Sequence, residues 1–343
     1  MPKANWIKSK NNIELLKEFN PGNSVLIVSP HPDDEWLSFA GTLHRCHLKN
    51  PQFNLRILMM TGGGNFPKLE KKWLKKNNTN FLDIRPEEAK NFLKNLGRSP
   101  DEIINMHLED GSVSDMIIRH IDNHLEMCVD KFVEQLQNNL PKTIIMPHFF
   151  DEHGDHWGAA IITLLSLLVY RKLFKQDENE MKLLMYVTHY GDYPFFIPSR
   201  KLKNNPPFND DGEWKSILLN VEDYKFKKRS LRFYQTQTFD LLYSIYMKSF
   251  LKKNELFEEY SFGKPYALTN STKINPDQEE TNEIILIYNT ETRHITYFGP
   301  EIKYRTIDSN LEVGIAISVH NHAGKNIVTK LEVISDSYNQ PSL

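Results

Sequence analysis

Cysteine is scarce in this chain of 343 residues: only Cys46 and Cys128 are present. They show no Cys-x-x-Cys spacing and no neighbouring histidine pair. That excludes a disulfide framework and a cysteine-built metal site, and reads as two buried or incidental thiols of a reducing compartment. A dominant charge is lacking as well. The formal net charge is -2, which argues against bulk attraction to nucleic acid. Long apolar runs are missing: the longest, Gly158 to Tyr170, falls short of the roughly 20 residues a bilayer-spanning helix needs and is expected as a buried helix. The opening residues, Met1 to Trp6, carry no apolar core. No secretory signal is read there, and the cytoplasm is the expected compartment. No G-x-G-x-x-G follows the first apolar strand, which excludes a dinucleotide-binding protein. No internal repeat is visible. What remains, 40% hydrophobic and 25% charged residues, is the composition of a globular protein long enough for one large domain and a small one.

The most informative stretch is Val25-Leu-Ile-Val-Ser-Pro-His-Pro-Asp-Asp-Glu35. A continuous apolar run bounded by a turn signal reads as a strand covered on both faces. The turn sets His31, Asp33, Asp34 and Glu35 at its carboxyl end, where open α/β sheets keep their ligands. So many ionisable groups beside a buried strand are costly unless they pair or bind a cation. A second short strand, Thr143 to Met146, runs through Phe149 and Phe150 into Asp151-Glu-His-Gly-Asp-His156, and a long apolar helix follows from Trp157 to about Phe174. Two strand ends can bring His31, Asp34 and His156 to one point. Two imidazoles and one carboxylate leave positions open for water, as a catalytic zinc site requires. Mixed nitrogen and oxygen donors also suit ferrous iron or another divalent ion, so a two-His-one-carboxylate iron enzyme stays open.

Together these residues resemble the PIG-L/LmbE family of metal-dependent N-deacetylases. Pro30 to Glu35 matches the family's first motif, and His153, Asp155 and His156 match its His-x-Asp-His. Weaker marks follow in order: Arg85 to Ala89 with Leu96-Gly97, Leu108 to Gly111, Lys228 through Gln237, and Ser261 to Tyr266. The resemblance spans roughly residues 20–270. It implies a Rossmann-like fold and a hydrolase that removes an acetyl or other acyl group from an amino sugar or its conjugate, a small-molecule or glycoconjugate substrate. It also implies Asp33 as the general base that takes a proton from metal-bound water. His153 is the candidate oxyanion stabiliser and general acid, with Asp155 expected to hydrogen-bond its ring and keep it protonated. Glu35 is expected to orient a ligand histidine. His148 matches no family position and reads as structural. Two departures stand out: the loop Thr61 to Asn65 lacks the family's frequent Glu, and Asp151-Glu152 stands where some members carry Tyr. Lys68, Lys71, Lys72, Lys75 and Lys76 read as a solvated helix face, or as a rim attracting an anionic substrate. A glycan-binding protein with a vestigial metal site is the alternative of a different class.

Strands alternate with helices up to about residue 270, which predicts a mostly parallel α/β sheet with helices on both faces. Expected helices cover 7–19, 37–48, 85–96 and 116–140; expected strands cover 55–60, 103–108 and 183–189. After Asn270 the chain turns polar and acidic, then breaks into short β-branched and aromatic segments, the mark of antiparallel strands. The expected division is a deacetylase-like domain over 1–270 and a small β-rich C-terminal appendage over 271–343. Oligomeric state is left open, a homo-oligomer included.

Overall fold

The computed structural model describes residues 23–119, 123–175, 181–191, 193–194, 213–260, 266–267, 281–298, 311–322 and 325–334. The expected lead-in helix over 7–19, the stretch 303–306 among the short C-terminal segments read as strands, and nearly all of the closing segment over 261–266 lie outside them. In chain order the first part holds β1 (Ser24–Ser29), α1 (Asp34–Lys49), β2 (Asn54–Thr61), α2 (Pro67–Asn77), α3 (Phe81–Leu96), β3 (Ile103–Leu108), α4 (Val113–Arg119), α5 (His124–Asn139), β4 (Thr143–Pro147), α6 (Gly154–Phe174) and β5 (Lys182–Tyr186). Then come β6 (Glu213–Leu218), α7 (Val221–Ser230), the single turn α8 (Gln235–Thr238), α9 (Leu241–Ser249) and β7 (Asn254–Tyr260).

Strand β1 shows why the sheet is covered on both faces. Its side chains alternate, so Val25 and Ile27 enter one core while Leu26 and Val28 enter the other. All four are fully buried. The sheet runs β3-β2-β1-β4-β5-β7-β6. The first five strands are parallel, and β7 and β6 join antiparallel at one edge. Strand order reverses between β1 and β4, so the loops leaving their carboxyl ends part there and open a crevice. Both residue clusters singled out in the sequence leave from those two ends.

Strands β6 and β7 are not expected from the sequence, and three helices depart from expectation. The helix expected over 116–140 is two helices, α4 and α5, because Asn123 before α5 takes a left-handed backbone at φ 56° that a continuous helix does not allow. Helix α3 begins at Phe81, capped by the Asn80 side chain on Asp83 N at 2.8 Å. Helix α6 is 21 residues long, so the expectation that its apolar run is too short to span a bilayer fails on length. Burial carries the conclusion instead: α6 is covered over most of its length and sits in the larger core as a core helix.

A second sheet of five strands is antiparallel: β8 (Tyr266–Ala267), β9 (Thr281–Asn289), β10 (His294–Phe298), β11 (Glu312–His322) and β12 (Lys325–Ile334), ordered β10-β9-β11-β12-β8. Its alternate residues Ile284, Leu286 and Tyr288 of β9 and Ile315, Ile317 and Val319 of β11 share one core with α5 and α6. Polar contacts fasten it to the same helices. Ile295 N donates to Glu126 at 3.1 Å, and Trp157 Nε1 donates to Asn326 O at 3.0 Å.

Candidate metal centre

The turn after β1 is held in an uncommon shape. Asp33 sits at φ 146°, ψ -23°, a region an L side chain adopts at a cost of order 1–3 kcal/mol. Its surroundings fix it there. Asp33 N donates to Glu35 Oε2 at 3.1 Å, and Asp33 O accepts from Trp36 N and Leu37 N at the start of α1. The consequence is that neighbouring carboxylates point apart: Asp34 toward the histidines, Asp33 toward Arg85.

Three donor atoms converge. His31 Nδ1 lies 3.3 Å from Asp34 Oδ2, His156 Nε2 lies 3.2 Å from the same oxygen, and the two nitrogens are 3.3 Å apart. A tetrahedral ion with nitrogen and oxygen ligands at 2.0–2.1 Å has donor edges of about 3.3–3.4 Å; an octahedral ion at similar bond lengths has edges of about 2.9 Å. The triangle fits a divalent ion and is closer to the tetrahedral case. His153 and His189 supply further donor atoms, each grouped with ligand candidates within 4.8 Å.

The remaining ring nitrogens are also committed. His31 Nε2 lies 3.0 Å from Asp110 Oδ1 and 3.0 Å from Asp155 Oδ2. His156 Nδ1 lies 3.0 Å from the Thr188 hydroxyl and 3.4 Å from Asp151 Oδ2. Carboxylates behind each ring fix its tautomer and raise its basicity, as they do behind metal-bound histidines. The electrostatics agree that this spot calls for positive charge. Burial works to lower the pKa of both rings, yet the carboxylates prevail: His156 is raised to about 9 and His31 well above its ordinary value. Burial works to raise Asp34, but His156 and His31 outweigh it and hold the carboxyl well below the usual range.

Asp33 is different. Burial pushes it up to about 7, with Arg85 opposing and Asp34 assisting. Arg85 is itself buried, with NH2 3.1 Å from Asp33 Oδ2 and NH1 donating to Gly63 O. Gly63 lies at φ 69°, and a Cβ there would collide with the guanidinium, so the glycine loop makes room for this arginine. The same loop donates Asn65 N to Asp110 Oδ2.

Two expected pairings are corrected. Asp155 does not hold the ring of His153. Its carboxylate accepts from Gly111 N at 2.7 Å and Val113 N at 3.0 Å, which turns it onto His31. His153 instead accepts the Asp155 backbone N–H on Nδ1 at 3.3 Å, which leaves its proton on Nε2. Burial, with His31, His156 and His189 nearby, drives its pKa well below the ordinary value. These surroundings oppose protonation of the ring, against the expectation from sequence that they favour it. Glu35 touches no ligand histidine. It accepts from Ser29, from Asp33 N and, at 2.6 Å, from the hydroxyl of Tyr234, bracing the turn from beneath.

Asp110, Asp151, Thr188, His189 and Arg85 complete the site and were not assigned roles from sequence. Asp110 and Arg85 stood inside weak family marks, and Asp151 stood as a departure. His189, its pKa lowered by burial to about 4 and its ring stacked on Tyr246, carried no sequence signal. The five lysines of α2 line neither cavity beside the site, and Lys72 is paired with Asp240 at 3.0 Å.

Residues 26–164 match the family described as PIG-L: GlcNAc-PI de-N-acetylase. No curated protein matches the sequence. Among solved structures, the A40926 pseudoaglycone deacetylase Dbv21 is similar at 14% identity over 69% of this chain and 96% of that one, with a TM-score of 0.48. N,N'-diacetylchitobiose deacetylase from Pyrococcus horikoshii is similar at 16% identity over 72% and 89%, with a TM-score of 0.43. The 4-carboxy-2-hydroxymuconate hydratase GalB of Pseudomonas putida KT2440 is similar at 17% identity over 65% and 82%, also with a TM-score of 0.43.

Proposed function

Because residues 26–164 of this chain form a PIG-L family domain, we propose that the protein is a metal-dependent hydrolase that cleaves the N-acyl amide of an amino sugar or its conjugate. The observation that carries this reading is the donor triangle of His31, Asp34 and His156, with a carboxylate behind each ring and Asp33 beside it. Zinc is the ion we assign to it. Bound there, it supplies Lewis acidity that brings the pKa of water toward about 7 and polarises a carbonyl.

The protein's own residues do the rest. Asp33 takes the proton of the attacking water. Arg85, on one oxygen of that carboxylate, keeps it aimed and holds its pKa from rising further. His153 presents Nε2–H as a neutral donor to the oxygen on which negative charge develops, because its Nδ1 is occupied by the Asp155 amide. The proton gathered by Asp33 is then available to the departing nitrogen. This moves the general-acid role from His153 to Asp33. The products are a carboxylate and a free amine. Asp155 acts through His31, as a positioning residue.

The test is acid release from a panel of N-acylated amino sugars and their conjugates, using protein of measured metal content. Turnover that chelation abolishes and zinc restores is the expected result. Full metal occupancy with no release from any substrate would support a glycan-binding protein instead.

A further inference from the structure

Two cavities adjoin at the centre. One, of about 550 Å³, has His31, Asp33 and Asp34 on its floor; the other, of about 490 Å³, lies beyond His153. They share His153, His189 and Tyr246 as a common wall. Their chemistry differs. The walls of the first are mostly apolar, Leu37, Phe66, Leu242, Tyr243 and Ile245, with Arg85 and Gln237 as the polar exceptions. The second is lined by Ser114, Asp115, Glu152, Tyr190, Tyr193 and, from the C-terminal sheet, Lys325.

An amide divides its substrate into an acyl side and an amine side. If the carbonyl oxygen lies on His153 and the nitrogen stays within reach of Asp33, with the sugar directed past His153, the sugar enters the cavity of hydroxyls, tyrosine faces and carboxylates. The acyl group stays in the apolar one. A methyl group needs little of that space. Leu242 is 74% exposed and Ile245 38% exposed, apolar surface at the rim of a concave site that an apolar ligand would cover. Resting on the deacylase reading above, we propose that the preferred substrate carries an N-acyl chain longer than acetyl, held by Phe66, Leu242 and Ile245.

The experiment is a chain-length series on one amino sugar: N-acetyl, N-butyryl, N-hexanoyl and N-octanoyl glucosamine, alongside N-acetylglucosamine alkyl glycosides of matching lengths. Each buried methylene should raise kcat/KM about fourfold until the cavity is filled. Leu242→Ser and Ile245→Ser, both at exposed positions, should flatten that rise, lowering kcat/KM for the octanoyl member far more than for the acetyl member, and leave the melting temperature within a degree or two. Hydrolysis that is fastest for acetyl and falls with length overturns the proposal while leaving the deacylase reading standing. So does a rise that follows the glycoside chain instead of the acyl chain, which would put the aglycone in the apolar cavity. No hydrolysis of any member by metal-loaded protein defeats both.

Discussion

Among the described residues, histidine is buried against carboxylate both at the candidate centre, which lines a cavity, and at His148. His148 Nε2 meets Glu258 Oε2 at 2.8 Å, its Nδ1 accepts Phe150 N at 3.0 Å, and its ring stacks on Trp214. Both nitrogens are spent on the protein itself. His156 is buried as deeply and His31 nearly so, yet each commits one nitrogen to a rear carboxylate or hydroxyl and turns the other toward Asp34 Oδ2. What marks the candidate centre off from the structural pair is that one nitrogen of each ring and one oxygen of Asp34 converge on a common point. Burial and pairing alone do not make that distinction.

Substitutions can break the contrast, and they are ordered by expected effect on turnover. His156→Ala removes one of three donors. Metal content should fall to background and activity with it, while far-UV circular dichroism stays that of the parent. Undiminished zinc by elemental analysis would remove His156 from the centre. Asp33→Asn keeps the shape and removes the base: metal stays bound, and kcat drops roughly 10²–10⁴-fold, the usual scale for general acid–base catalysis. Turnover near that of the parent would mean that another group takes the proton. Asp110→Asn or Asp155→Asn leaves the donors in place but weakens the support behind His31. Zinc affinity should fall about 10- to 100-fold, measured by competition with a chelating dye, and excess zinc should restore most activity. His148→Phe should leave metal content and kcat within about twofold, yet lower stability by roughly 1–3 kcal/mol in urea unfolding, because Glu258 loses its buried partner. Loss of zinc from that variant would erase the contrast.

The sequence exposed one half of this site well and the other half poorly. His31, Asp33, Asp34, His153 and His156 were visible because each follows a strand end, where a run of apolar residues gives way to a cluster of ionisable ones. The strand alternation that sends β1 into two cores was readable for the same reason. Asp155 was misread because proximity along the chain suggested His153, whereas the amides of Gly111 and Val113, some forty residues upstream, decide where its carboxylate points. Arg85, Thr188 and His189 reach the centre only through the packing of α3 and β5 beside β1 and β4. Nothing in their local sequence marks that contact. The antiparallel edge, β6 and β7, was missed outright, since neither strand alternates cleanly between apolar and polar residues.

The brace beneath the turn has a bearing on how the protein is made. The proposed ligands are complete once residue 156 has been synthesised, and Thr188 and His189 follow soon after. The hydroxyl that steadies Glu35 arrives with Tyr234, and the carbonyl that accepts from Trp157, next to His156, arrives with Asn326. During translation the chain therefore presents its donors long before it presents what holds them in register. An ion captured early would sit among ligands that Tyr234 and Asn326 do not yet support.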